Sequence, residues 1–140
     1  MARVVYPPTV SYHPTPVKTW PPHTKVAAGE HVPNRIIFKN YLQLGALGFC
    51  QVDAVRVAGV SEFLAVSMMA RKRGIPVVPH VGDMGQIHQH LVLFNHIALG
   101  HEALLLEHIP HLSEHFMHPC TVKDGVYQTP QEPGMSADLK

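Results

Sequence analysis

Short apolar runs, each ending at an acid or a histidine and each followed by a helical spacing, recur along this chain and set its predicted elements. The clearest is Ile75 to Val78, which stops at Pro79-His80 and gives way to the turn formers Gly82, Asp83 and Gly85. That pattern predicts a buried strand delivering His80 to a loop. In α/β proteins the carboxyl ends of strands carry the chemistry, because the strand fixes position while the loop is free to vary. His80 is therefore the first candidate for a working residue. Upstream, Lys25 to Ala28 predicts a short strand ending at Gly29-Glu30. Asn34 to Leu44 then has helical spacing, with Ile36, Ile37, Tyr41 and Leu44 on one face and Gly45 and Gly48 closing it. The run Phe49 to Val52 leads into Asp53. A helix is expected over about Ser61 to Arg73, with Ser61 as N-cap, Leu64, Met68 and Met69 facing inward, and Arg71, Lys72 and Arg73 at the negative end of its dipole. Gly74 is the expected stop. Beyond His80 the pattern predicts a helix from about Ile87 to Phe94 and a short apolar piece, Ile97 to Leu99, leading to Glu102. An amphipathic stretch, Leu104 to Phe116, and a turn-rich tail with Thr129-Pro130 and Pro133-Gly134 follow.

Glu30, Asp53, His80 and Glu102 thus each follow an apolar run, at intervals of roughly 22 to 27 residues, about one strand, one helix and two loops. Four such units in register would put these side chains on one rim of a parallel sheet. The expected fold class is α/β: the C-terminal half of a TIM-type (β/α) barrel, since a whole eightfold barrel takes about 250 residues. Residues 1–24 stand apart. They contain Pro7, Pro8, Pro14, Pro16, Pro21 and Pro22 with little apolar periodicity, and proline removes donors and fixes φ, so an irregular Pro-rich leader is expected ahead of one domain over residues 25–140.

Composition narrows the function. A formal net charge of +1, with charged residues at 15 %, supplies no field suited to nucleic acid or an anionic membrane. No apolar run approaches the roughly 20 residues of a membrane span, and the N-terminus lacks the order of a signal peptide, so the expected compartment is the cytoplasm. Cys50 and Cys120 are too far apart in sequence to read as a ligand pair and are expected to be reduced. Histidine is the oddity, with 12 in the chain, most of them between His80 and His118.

The motifs G-E-H-V-P-N-R from Gly29, Q-V-D-A-V-R-V-A-G-V-S-E from Gln51, V-V-P-H ending at His80, H-L-S-E-H-F from His111 and P-G-M-S-A near the tail occur in order at barrel spacing. Together they resemble the C-terminal half of an enolase-superfamily barrel, and within it the mandelate racemase group and its sugar-acid dehydratases acting on substrates such as L-fuconate. The resemblance runs from about Ala27 to Lys140. It implies that Glu30 is the last of three carboxylates holding Mg²⁺, that Asp53 orients and charges the catalytic histidine, that His80 is that histidine, and that Glu102 faces the substrate carboxylate or the developing enolate. The chemistry is consistent with these types: a proton α to a carboxylate is very weakly acidic, so its removal needs a cation for the enediolate charge and a base with a pKa near neutrality. Loss of the β-hydroxyl then gives a 2-keto-3-deoxy acid; the superfamily also contains racemases and epimerases. Relatives carry H-A-G-G-V-G-L after the histidine where this chain has H-V-G-D-M-G-Q, and no Lys-x-Lys motif precedes Glu30. Self-association or pairing with a separate N-terminal half is the matching expectation for partners.

Two other readings compete. A half-barrel that pairs without catalysing would be a binding or assembly module. His111 to His115 also fits H-x-x-E-H, two histidines one helical turn apart with a glutamate between, a zinc-hydrolase pattern. His88 and His90 read as surface or partly buried polar residues, and the Met68-Met69 pair as core.

Overall fold

The computed structural model describes residues 3–5, 24–80, 86–109 and 112–140. Its elements are β1 (Arg3–Val5), β2 (Ala27–Ala28), α1 (Arg35–Gln43), β3 (Phe49–Cys50), α2 (Val60–Lys72), α3 (Ile87–Leu99), β4 (Leu105–Glu107), a 3₁₀ turn (Ser113–His115), β5 (Val122–Lys123) and β6 (Val126–Tyr127). β2 and β3 pair in parallel, Ala27 opposite Phe49, and Cys50 bridges in parallel to Val77. The Glu107 N–H reaches the Pro79 carbonyl at 3.5 Å, which carries the row on to β4. The α/β class is as expected, but the strands are two or three residues long.

α1 begins where Asn34 supplies its cap, the side-chain oxygen accepting from the Ile36 and Ile37 N–H groups at 3.0 and 3.2 Å. The face it buries is not the expected one. Phe38 and Leu42 point inward, whereas Ile36 and Leu44 are exposed and Tyr41 is at the surface. Phe38, one turn from Leu42, packs its ring over Gly29. α2 starts one residue early, capped by the backbone of Gly59 rather than by Ser61. It buries Phe63, Val66, Ser67 and Ala70, with Leu64 and Met69 only partly covered and Met68 exposed. With Phe38, Leu42, Cys50, Val52, Val77 and Leu91, these residues make the main core between the helices and the parallel row.

Three regions depart further from the sequence reading. Ile97 to Leu99 do not form a strand: they are the last turn of α3, which ends at Gly100 in the left-handed conformation. The next strand comes later, at Leu105–Glu107, inside the stretch expected to be amphipathic. Arg3–Val5, expected to be irregular, is a strand lying parallel to β4 and antiparallel to β6, in a sheet of order β4-β1-β6-β5. It precedes the first proline, so the ladder keeps its donors. Residues 1–2 and 6–23 of the leader lie outside the described residues. The tail contains a hairpin, β5 to β6, turned by Asp124 and Gly125 with φ of 52° and 74°. No helix among the described residues is long and apolar enough to cross a membrane.

Candidate active site

The parallel row delivers its side chains at the carboxyl end. β2 ends at Ala28, and the chain turns at Gly29 with φ of 133°. A Cβ there would lie 2.6 Å from Phe38 Cε1, so only glycine admits both the turn and the ring. Glu30 follows, half-exposed at the rim, with one oxygen 3.1 Å from His31 Nε2 and the other 3.1 Å from His80 Nε2.

Asp53 is buried to 1 % exposure just past β3. Its Oδ1 accepts from the Val55 N–H at 2.8 Å, which closes a turn over the carboxylate. Its Oδ2 lies 2.9 Å from His80 Nδ1. Arg56 Nη1 is also near Nδ1, at 3.3 Å. Only one of these contacts is a hydrogen bond: a carboxylate can only accept, so Nδ1 carries the proton and donates to Asp53, and Arg56 is a neighbouring charge. The other ring nitrogen, Nε2, therefore faces the rim, 3.1 Å from Glu30 and 3.7 Å from Glu107. Glu107 ends β4, nearly buried, and its carbonyl accepts from the Tyr127 hydroxyl at 2.6 Å.

These surroundings bias charge in one direction. The Asp53 hydrogen bond raises the His80 pKa against the opposing effect of burial, Glu107 and Glu30 raise it further, and Arg56 lowers it. For Asp53, burial acts to raise the pKa, but His80, His88 and the Val55 N–H outweigh it and hold the carboxyl well below the usual carboxylate range. These surroundings favour the charged form of His80 relative to a free imidazole.

Glu30, Asp53 and His80 thus come together. Glu102 does not join them. It is exposed, ahead of β4 rather than after it, beside a cleft of about 250 Å³ lined by Arg71, Ile75, Pro76 and His101 at the amino end of the strands. The displacement follows from reading Ile97 to Leu99 as a strand. Glu107 stands in the place expected of Glu102, and the sequence carries a signal for it: Leu104 to Leu106 is an apolar run ending at an acid, like those before Asp53 and His80. His88, expected at or near the surface, is fully buried. It accepts from the Ala54 N–H at 2.8 Å through Nε2 and lies 3.4 Å from Asp53 Oδ1, so it supports the loop that presents Asp53. The H-x-x-E-H reading rests partly on His111, outside the described residues; Glu114 and His115 sit exposed on the 3₁₀ turn.

Comparison with known proteins identifies the family and the fold. The sequence model of the family described as Enolase C-terminal domain-like matches residues 17–140. L-galactonate dehydratase of Hypocrea jecorina is 46 % identical over 117 residues, which are 82 % of this chain and 26 % of that protein. The crystal structure of human Mitochondrial enolase superfamily member 1 superposes with a TM-score of 0.74 at 39 % identity, covering 83 % of this chain and 27 % of that one. L-talarate/galactarate dehydratase from Salmonella typhimurium LT2, liganded with Mg and L-lyxarohydroxamate, gives a TM-score of 0.68 at 28 % identity, covering 84 % and 28 %. The chain spans about a quarter of the length of the relatives it matches.

Proposed function

We propose, from the premise that the chain belongs to the enolase C-terminal domain-like family, that it forms the His80-bearing half-barrel of a Mg²⁺-dependent sugar-acid dehydratase acting on a six-carbon aldonate of the L-galactonate kind. The observation that carries this reading is the placement of His80, with Nδ1 held by Asp53 at 2.9 Å and Nε2 directed between Glu30 and Glu107. Neutral at Nε2, His80 takes the proton α to the substrate carboxylate, and the C–H electron pair enters the enediolate. The imidazolium, stabilised by Asp53, then returns a proton to the departing β-hydroxyl. The C–O bond breaks, water leaves, and the enol product becomes a 2-keto-3-deoxy acid. Glu107, nearly buried beside Nε2, is the acid placed to meet the substrate carboxylate or the enediolate.

Glu30 fits Mg²⁺ as a carboxylate at the rim, because this ion is commonly held by one or two protein carboxylates together with substrate oxygens. When bound, it supplies positive charge for the enediolate. The further carboxylates would come from outside these residues. A second copy or a separate half fits the outer edge of β2, which has no strand partner among the described residues. Cys50 and Cys120, neither of them in a disulfide, fit the cytoplasm.

The test is exchange of the α-proton of L-galactonate into deuterated solvent and formation of 2-keto acid, with Mg²⁺, by the chain alone and by the chain mixed with the N-terminal half of a relative. Turnover that His80→Gln abolishes supports the reading. Exchange or turnover that survives His80→Gln, or its absence in both preparations, overturns it. If the mixture forms a stable, inactive complex, the non-catalytic assembly module takes its place.

A further inference from the structure

His80 Nε2 and one oxygen each of Glu30 and Glu107 lie within 4.8 Å of one another. We propose that these three atoms form a site for Zn²⁺, different in donor set from the Mg²⁺ arrangement above, and that the ion bound there silences His80.

Distance is the first argument. Zinc holds nitrogen and oxygen donors at about 2.0–2.2 Å, and tetrahedral angles then put neighbouring donors roughly 3.3–3.5 Å apart. Nε2 is 3.1 Å from Glu30 Oε2 and 3.7 Å from Glu107 Oε2, each within a few tenths of an ångström of that range, and the two carboxylates approach within 4.8 Å of each other. Donor chemistry is the second. One imidazole with two carboxylates suits a borderline cation, whereas Mg²⁺ demands oxygen donors in near-ideal octahedral geometry. Asp53 supplies the third. A histidine that ligates zinc almost always donates its other ring N–H to a carboxylate, which fixes the tautomer and strengthens the ligand, and the Nδ1 to Oδ2 contact of 2.9 Å already does so. Access is the fourth, since His80 and Glu107 are nearly buried while Glu30 opens to solvent. Three protein donors leave a fourth position for water.

The site's consequence follows from the same atom. The Nε2 lone pair that would accept the α-proton is the one that binds the metal, so zinc blocks the base rather than assisting it. Binding itself does not rest on the dehydratase reading; only the inhibition does.

The experiment titrates Zn²⁺ into the metal-stripped full chain in buffer containing excess Mg²⁺ and counts bound zinc by elemental analysis after gel filtration. The expected result is one ion per chain, lost in His80→Gln, weakened in Glu107→Gln, weakened about tenfold in Asp53→Asn, and retained in His115→Ala. Uptake unchanged in His80→Gln, or zinc displaced by Mg²⁺, overturns the proposal. Should His80→Gln fail to fold, X-ray absorption of the zinc-loaded wild type decides. One imidazole in an otherwise oxygen shell supports the site, and two or more imidazoles, or any thiolate, overturn it. Mg²⁺ binding that falls in Glu30→Gln and survives in His80→Gln belongs to the dehydratase reading alone, so either idea can fail without the other.

Discussion

Two buried histidines stand at opposite ends of the same short strands and are biased toward opposite charge states. His80, at the carboxyl end, has Asp53 on one nitrogen and two glutamates near the other, and its pKa is raised. His101, at the amino end, is pushed down first by burial and then by the Arg71 charge. Its Nε2 contact with the Ser67 carbonyl at 3.1 Å only partly offsets these effects. Burial is similar in kind at both positions; the partners differ. Carboxylates gather around the histidine at one strand end and favour its charged form, while the surroundings at the other end favour the neutral form of a comparable side chain.

The largest test of this contrast removes its source. Asp53→Asn should cost about 3 kcal/mol of stability, because it breaks a buried charged network from one side. It should also lower the His80 pKa while leaving His101 unmoved. Urea unfolding and NMR titration of the imidazole signals would check both, and a His80 pKa that stays high would show that Asp53 is not what charges it.

The backbone offers a second pairing. Gly29→Ala at the rim should cost about 2 kcal/mol, since it adds a clash with Phe38 to a strained φ. Gly100→Ala at the other end of the row should cost only about 1 kcal/mol, because its φ of 67° is unfavourable for alanine but the nearest atom to its Cβ, on Arg71, is 3.7 Å away. Thermal unfolding in parallel would reveal whether the rim is the tighter end.

pH should separate the histidines by sign. The native state binds protons more tightly at His80 than the unfolded chain does, so its stabilisation is complete below about pH 6.5 and is lost as pH rises through the raised folded value. At His101 the native state binds protons less tightly, so stability falls as pH drops from about 6.5 toward the lowered folded value. At either residue, every tenfold difference in proton affinity between folded and unfolded chain is worth about 1.4 kcal/mol. His80→Gln should flatten the alkaline side of the stability profile and His101→Gln the acid side; the reverse assignment would refute the contrast.

The smallest effect distinguishes two glutamates. Glu107→Gln should lower the His80 pKa slightly, and Glu102→Gln should leave it where it is, both read in the same NMR titration. An equal response would contradict their placement at opposite ends of β4.

The sequence made His80, Asp53 and Glu30 legible because each follows an apolar run and precedes turn formers, a signal that survives even when the strand is two residues long. It misled at Glu102 because Ile97, Ala98 and Leu99 are apolar whether they end a helix or form a strand, and only Gly100 marked the difference. The fully buried His88 was invisible to periodicity, since its partner is a backbone N–H, that of Ala54, 34 positions away. The strand at Arg3–Val5 was hidden by the prolines that follow it, and the hairpin at Asp124-Gly125 was missed although Asp-Gly is a favoured hairpin turn.

Cys50, wholly buried in β3 between Ala28 and Val77, has its thiol pKa pushed up to about 12 by burial. Its N–H and carbonyl are both held by the Pro76–Val78 segment, at 2.9 Å each. Such a thiol reacts with an alkylating reagent only when the centre of the parallel row opens. Its labelling half-life therefore acts as an internal clock for how often the scaffold beneath His80 comes apart. A ligand that fastens the rim should slow that clock.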